Sequence, residues 1–380
     1  MTALTPVLAP PGAPEAWSSR LVELERLEWR ATEGTDPGEA LQSLLEAHGL
    51  TGGPARPGAP DRAVVLLAGA QACALLAGLS VGPPTPVPAV PDLVAVAVRR
   101  GEAVEPTTRA DSGGAGPWTA TWTDGEHRDA IEQVRAVIAR GGVYQANVVG
   151  HRCAAHTAEP TALATRVADI PGASYAGVLT GQGWAVGCAS PEQLVRVDGR
   201  RITTVPVKGT LPVSPGSEQR LRDSLKDRAE HVMIVDLERN DLSRVAVTGS
   251  VEVEELYALS EWSGLWHAGS RVAAELPDDA TTMEVLRALL PGGSVTGAPK
   301  RAAWDLLTHL EPVGRGPSMG AFGLLHAGGL DLGLTIRTVA VDSDRVHLWA
   351  GGGITWDSDP GAEVVEAHAK AGPVLRALEG

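Results

Sequence analysis

The sequence predicts an α+β fold built on mixed sheets, and three observations carry that prediction. Strand-like runs follow one another directly, most densely over residues 175–207, where a doubly wound fold would need strict strand-helix alternation. Helical stretches of clear apolar period stand between groups of strands rather than between single ones. The composition, 43% hydrophobic and 21% charged over 380 residues, suits a chain that buries a full core.

Taken in order, apolar periodicity predicts helices over residues 16–31 and 38–48, the second opened by Asp36-Pro37 and closed by Gly49. Strands are predicted over 64–67, 93–98 and 118–122. From about Glu126 the periods sharpen: a helix ending at Gly141-Gly142, a strand over 143–149, a helix over 161–169, then strands over 175–179, 184–188, 193–197 and 202–207. One long helix is predicted over 217–238, followed by strands over 251–256 and 262–272 and helices over 282–290 and 299–310. Strands over 320–325, 331–339 and 346–350 precede a last helix starting at Pro360, which Ser358-Asp359 caps.

Charge and composition exclude several classes. A net charge of -14 without basic runs argues against a nucleic-acid surface, so the expected partner is a small molecule or another protein. The most apolar run, residues 63–79, is shorter than the ~20 residues of a membrane helix and holds Gly69, Gln71 and Gly78, which predicts a buried strand and a short helix or turn. Residues 1–11 lack the basic region of a signal peptide. The three cysteines, Cys73, Cys153 and Cys188, read as reduced, buried thiols of a cytoplasmic protein, and none has the Gly-x-Cys-x-Gly setting of a glutamine-hydrolysing nucleophile.

Four of the 32 basic side chains are lysine: Lys208, Lys226, Lys300 and Lys370. Lys208 ends a strand-like run and precedes Gly209; it is either a surface lysine or an amine kept because only an amine can lose its proton and attack carbon. Asp227 and Glu230 are spaced to share one helix face, as are Glu363 and Glu366, so two helices could clasp one Mg²⁺ or simply present solvated faces. The stretch from Pro291 to Lys300 resembles an anion-cradling loop entering a helix, although it is no Walker loop. Gly351, Gly352 and Gly353 offer backbone N–H groups to a carboxylate, and Arg337, alone in an apolar strand, is an ion-pair partner or a carboxylate clamp. His151, Cys153 and His156 match no zinc spacing.

Taken together, Tyr144-Gln145-Ala146-Asn147, Ser190-Pro191-Glu192, Pro206 to Thr210, Lys226 to Leu237, Arg239-Asn240-Asp241-Leu242, the 292–300 stretch, Ile336-Arg337-Thr338 and residues 351–370 resemble, in that order, the chorismate-utilising enzymes. The resemblance spans residues 127–378. It implies two stacked, mostly antiparallel sheets flanked by helices, with a Mg²⁺ site between them. It also divides the chain into an N-terminal region, 1–125, contributing to the sheet sandwich, and a catalytic region, 126–380.

The resemblance further implies roles for single residues. Glu230, Glu366, Asp227 and Glu363 would hold Mg²⁺; Arg337, Thr296, Gly351, Gly352, Gly353, Lys370, Gln145 and Thr210 would bind chorismate; Glu192 would be the general acid, with His267 near the ring. Relatives that add water to chorismate carry a lysine base at the position of Gln145, and relatives that make anthranilate carry alanine at that of Lys208. The branch that aminates C4 carries the lysine as a covalent nucleophile. Its ammonia would come from a separate glutamine amidotransferase subunit, component II. Two departures stand out: Ser318 where relatives usually have tyrosine, and Leu211 where arginine is frequent. No tryptophan pocket is recognisable in the N-terminal third.

Overall fold

The computed structural model describes residues 21–51, 61–100, 113–262 and 265–379; for Arg100, Thr210, Pro212, Leu225, Lys226, Asp227, Trp262 and Leu265 it describes the backbone alone. Strand β1 (Leu21–Trp29) leads through α1 (Pro37–Ala47) to β2 (Arg62–Ala68), α2 (Ala70–Leu76) and β3 (Leu93–Arg100). The short β4 (Thr119–Ala120) is followed by α3 (Asp124–Ala139), β5 (Gln145–Ala155) and α4 (Pro160–Ala168). Strands β6 (Tyr175–Gly181), β7 (Trp184–Ser190), β8 (Gln193–Asp198), β9 (Arg201–Val205) and β10 (Val207–Pro212) then run in succession. Helices α5 (Ser217–Asp223) and α6 (Leu225–Ser243) precede the hairpin of β11 (Glu252–Trp262) and β12 (Leu265–Glu275). Next come α7 (Thr282–Leu289), the single turn α8 (Gly293–Thr296), β13 (Gly297–Ala298) and α9 (Lys300–Leu310). The chain closes with β14 (Ala321–His326), β15 (Gly329–Leu334), β16 (Thr338–Val341), β17 (Arg345–Ile354) and α10 (Pro360–Leu378).

The strands form two antiparallel sheets, as expected of the α+β class. The larger runs β1-β3-β2-β14-β15-β8-β9-β12-β10 with β11 also on β12, and the smaller runs β13-β5-β17-β16-β7-β6 with β4 also on β5. One hydrophobic core joins them, drawing Val65, Val96, Leu324 and Leu332 from the larger and Val149, Val186 and Trp349 from the smaller. Each large aliphatic chain buried there contributes roughly 1.5–3 kcal/mol. Among the described residues no helix is long and apolar enough to cross a membrane.

Several elements differ from the sequence reading, each for a local reason. The described part of the predicted helix over 16–31 is strand β1, whose pairing with β3 slips between Glu23 and Glu25. That bulge leaves Leu24 exposed and turns a two-residue period into one that imitates a helix. The helix predicted over 217–238 is two helices, broken at Ser224, where ψ swings to 106°. Pro206, which has no N–H for a ladder, divides the run 202–207 into β9 and β10. The strand predicted over 331–339 is interrupted before β16, and Arg337 sits in that interruption with φ 49° instead of within a strand. Cys73 and Cys188 are buried free thiols, whereas Cys153 is half-exposed and accepts a hydrogen bond from Arg345.

A buried ion pair fixes the elements that matter next. Arg315 meets Glu311 two-pronged at 2.8 and 2.7 Å and donates to the carbonyls of Val295 and Asn147, while Glu311 accepts from the Val149 N–H. This strut ties the end of α9 to α8 and β5. Replacing Arg315 by methionine leaves Glu311 buried and unpaired, and is expected to cost about 3–5 kcal/mol in denaturant unfolding.

Candidate active site

Lys208 owes its position to an irregularity in β10. Val207 pairs with Gly269 and Thr210 with His267, so Lys208 and Gly209 together oppose the lone Ala268 of β12. Gly209 takes φ 83°, a left-handed conformation open to glycine at little cost. Such a bulge re-aims the side chain beside it. The Lys208 Nζ donates to the Ser294 carbonyl of α8 at 3.3 Å. Burial pulls its pKa below the ordinary lysine range, nearby Lys370 pulls the same way, and Glu192, Glu230 and Glu366 oppose.

Glu192, between β7 and β8, is buried and accepts from the Val207 N–H at 3.4 Å. Burial raises its pKa, against the opposing pull of Lys208, of a hydrogen bond from Ser294 and of the Val207 N–H. A carboxyl that tends to keep its proton thus stands beside an amine that tends to lose one. Arg337 adds a guanidinium close enough to feel Glu192, its pKa lowered by burial. His267, on β12, is driven down to about 4 by burial and by Arg337, so it is a neutral imidazole near pH 7. Gln145, at the start of β5, is 1% exposed, and neither its Oε1 nor its Nε2 has a hydrogen-bond partner. Buried side-chain amides ordinarily have hydrogen-bond partners, which sets Gln145 apart.

The bare backbone of β17 joins this group to a second one. A Cβ on Gly353 would stand 1.9 Å from Gln145 Nε2 and 3.2 Å from Lys208 Nζ. On Gly352, whose missing side chain points to the other face, it would meet Glu363 Oε2 at 3.1 Å, Lys370 Nζ at 3.6 Å and Glu366 Oε1 at 3.9 Å. Lys370 pairs with Glu366 at 2.7 Å and donates to the Gly351 carbonyl at 3.1 Å, while Glu230 on α6 accepts from Thr355 at 3.3 Å. The oxygen donors on α6 and α10 are of the kind Mg²⁺ takes. Among the described residues they form no cluster of three or more metal-ligating side chains, although Mg²⁺ needs only one or two carboxylates together with water and substrate oxygens.

Most of the sequence-derived site residues therefore gather about Lys208, with exceptions. The side chains of Asp227 and Thr210 lie outside the described residues. Thr296 commits its hydroxyl to the Gly292 carbonyl at 2.9 Å. The expected anion loop is a helical turn and a short strand, and Lys300 is spent on buried Asp241 at 2.7 Å. Ser318 is fully buried and donates to the Thr335 carbonyl at 3.2 Å. Ser294 and Thr355, which bond Lys208, Glu192 and Glu230, were missed as individuals; only the glycine-rich setting of Ser294 hinted at it.

Between the two sheets, an amine, a neutral-leaning carboxyl and a guanidinium thus stand close to the buried amide of Gln145. The chorismate binding enzyme family matches residues 87–376, and the chain belongs to it. It is 37% identical over 269 residues to aminodeoxychorismate synthase component 1 of Salmonella typhimurium, covering 69% of this chain and 59% of that protein. It is likewise 37% identical over 286 residues to anthranilate synthase component 1 of Streptomyces coelicolor, covering 73% of this chain and 56% of that protein. The chain thus spans less than two thirds of these relatives. Among solved structures, anthranilate synthase component I of Streptococcus pneumoniae superposes with a TM-score of 0.78 at 23% identity, covering 94% of this chain and 92% of that one. The menaquinone-specific isochorismate synthase of Escherichia coli gives 0.66 at 16% identity, covering 95% and 94%. Both likenesses concern the fold.

If β17 must be bare here, Gly353→Ala pushes Gln145 and Lys208 aside. Any activity that depends on these two side chains is expected to fall about 100-fold, with the far-ultraviolet circular dichroism unchanged.

Proposed function

We propose that this protein is the chorismate-aminating component of an aminodeoxychorismate synthase, converting chorismate and ammonia to 4-amino-4-deoxychorismate and water. The observation that carries the reading is the partly buried amine of Lys208, aimed by its bulge beside protonatable Glu192. Arg337 grips the enolpyruvyl carboxylate, and the main chain at Gly351 to Gly353 lies along the ring carboxylate. Glu192 gives its proton to the C4 hydroxyl, which leaves as water. Neutral Lys208 forms a bond to C2 as the ring double bonds shift towards C4. Ammonia then bonds to C4, the double bonds shift back, and the C2–N bond breaks to return the lysine. Neutral His267 orients the ring by hydrogen bonding.

Glu230, Glu366 and Glu363, with Asp227, would hold Mg²⁺, which when bound neutralises the ring carboxylate in an acidic protein. Gln145, unlike a lysine, is no base for water, which favours ammonia as the entering group. The ammonia comes from a partner glutamine amidotransferase: none of the three cysteines has the Gly-x-Cys-x-Gly setting of a glutamine-hydrolysing nucleophile, and burial pushes the thiols of Cys73 up to about 12 and Cys188 up to about 11.

The pH dependence follows from the two directions of shift. Falling pH protonates Lys208 and removes the nucleophile; rising pH ionises Glu192 and removes the acid. With saturating ammonia, activity is expected to pass through a maximum, and Glu192→Gln to lower kcat about 10²–10⁴-fold while abolishing the alkaline decline. Product analysis of chorismate, Mg²⁺ and ammonium with wild type and Lys208→Ala decides the reaction. Aminodeoxychorismate is expected from wild type alone, and anthranilate or isochorismate as the main wild-type product would refute the proposal.

A further inference from the structure

One buried acid beside the site takes no part in the proposed chemistry. Glu238, on α6, is 3% exposed, and its Oε2 accepts from the Thr204 hydroxyl of β9 at 3.3 Å. Its Oε1 lies against the first residue of α8: a Cβ on Gly293 would stand 3.1 Å from it and 2.5 Å from Leu237 Cδ2. Thr204 is itself buried, and its main chain is held by pairing with Val272 of β12. One carboxyl thus meets a strand through one oxygen and a helical turn through the other.

Those are the two segments that Lys208 also joins. Strand β9 runs through Pro206 into the bulge that carries Lys208, and the amine ends on the carbonyl of Ser294, the residue after Gly293. Ser294 also bonds Glu192. Arg315 anchors the next residue of the turn by donating to the Val295 carbonyl, whereas the atoms nearest the missing Cβ of Gly293 belong to Leu237 and Glu238. A shift of α8 on that support moves the partner of the amine and the partner of the acid together.

The charges around Glu238 suit a spacer. Lys300, which acts on it, is committed to Asp241 at 2.7 Å and to the Leu289 carbonyl at 3.3 Å, and Arg244 acts on Asp241 as well. Burial is the largest influence on Glu238 and favours its neutral form; Asp241 and Glu192 act the same way, while Lys300 and the Thr204 hydroxyl oppose. A neutral acid fills this place with less desolvation than a carboxylate.

We propose that Glu238 is a positioning residue: its carboxyl holds β9 and α8 at a set separation and thereby keeps the Lys208 amine on the Ser294 carbonyl. The link stands on geometry; only its effect on turnover rests on Lys208 being the reacting amine. Without it, Lys208 retains its bulge but loses the fixed position of the carbonyl it donates to.

Three substitutions separate the link from mere bulk. Glu238→Gln keeps the acceptor for Thr204 and the volume beneath Gly293, Glu238→Leu keeps the volume alone, and Thr204→Val removes the hydroxyl at nearly constant size. With chorismate, Mg²⁺ and ammonium, Glu238→Gln is expected to retain most of kcat, and Glu238→Leu and Thr204→Val to lower it about 10–100-fold with KM within about threefold. Glu238→Leu combined with Thr204→Val is expected to lose no more than the slower single variant, since both break one link. Hydrogen exchange of the peptides spanning residues 203–212 and 289–297 reads the link without any chemistry. Faster exchange of both peptides in Glu238→Leu and Thr204→Val, but not in Glu238→Gln, supports it, even if the wild-type product proves not to be aminodeoxychorismate. Wild-type exchange in Glu238→Leu and Thr204→Val overturns it, as do losses that multiply in the double variant or a Glu238→Gln as slow as Glu238→Leu.

Discussion

The site depends on one extra residue in a strand. Regular pairing of β10 with β12 would alternate its side chains strictly between the two faces, and a one-residue slip would turn Lys208 away. The bulge at Lys208-Gly209 breaks that alternation at one point, and Pro206 keeps the neighbouring ladder from restoring it. Gly209 is required by backbone shape, and in the proposed reaction Lys208 is required by chemistry.

Once the amine is aimed, its charge is set by a contest. Burial and Lys370 favour the neutral form, while Glu192, Glu230 and Glu366 favour the charged one. Burial is the largest cause for Lys208, Glu192, Arg337 and His267 alike. Burial between the two sheets thus favours a neutral amine and a protonated acid at once. The bare strand at Gly352 and Gly353 brings the carboxylates of α10 within electrostatic reach of Lys208. Ordering a site in this way leaves the Gln145 amide buried without a hydrogen-bond partner.

Much of this was legible in the sequence, for identifiable reasons. Strands with one or two buried faces, such as β2, β3 and β7, announce themselves by apolar runs, α1 and α10 by their caps, and α3 by its apolar period and the glycines at its end. Candidate site residues carried by long motifs could be named from the sequence because each motif constrains both chemistry and backbone, and the fold brings many of them near Lys208. What escaped were departures from period: the bulge in β1, the break at Ser224 and the left-handed Arg337 each depend on pairings far along the chain. Ser294 and Thr355 escaped because a hydroxyl or a carbonyl becomes functional only through what folds against it. The stretch before α9 folds as a helical turn and a short strand instead of an open loop, and its glycines serve close packing, with Gly293 against Leu237 and Gly297 against the Gln145 carbonyl.

A covalent bond between Lys208 and the substrate is the central claim. It is tested most directly by mass spectrometry of the Lys208 peptide after rapid quenching of enzyme, chorismate and Mg²⁺ with ammonia withheld. The account predicts that this peptide carries the mass of chorismate less one water and that the adduct decays on adding ammonium. Product formed at the full rate with no modified Lys208 at any time would contradict it.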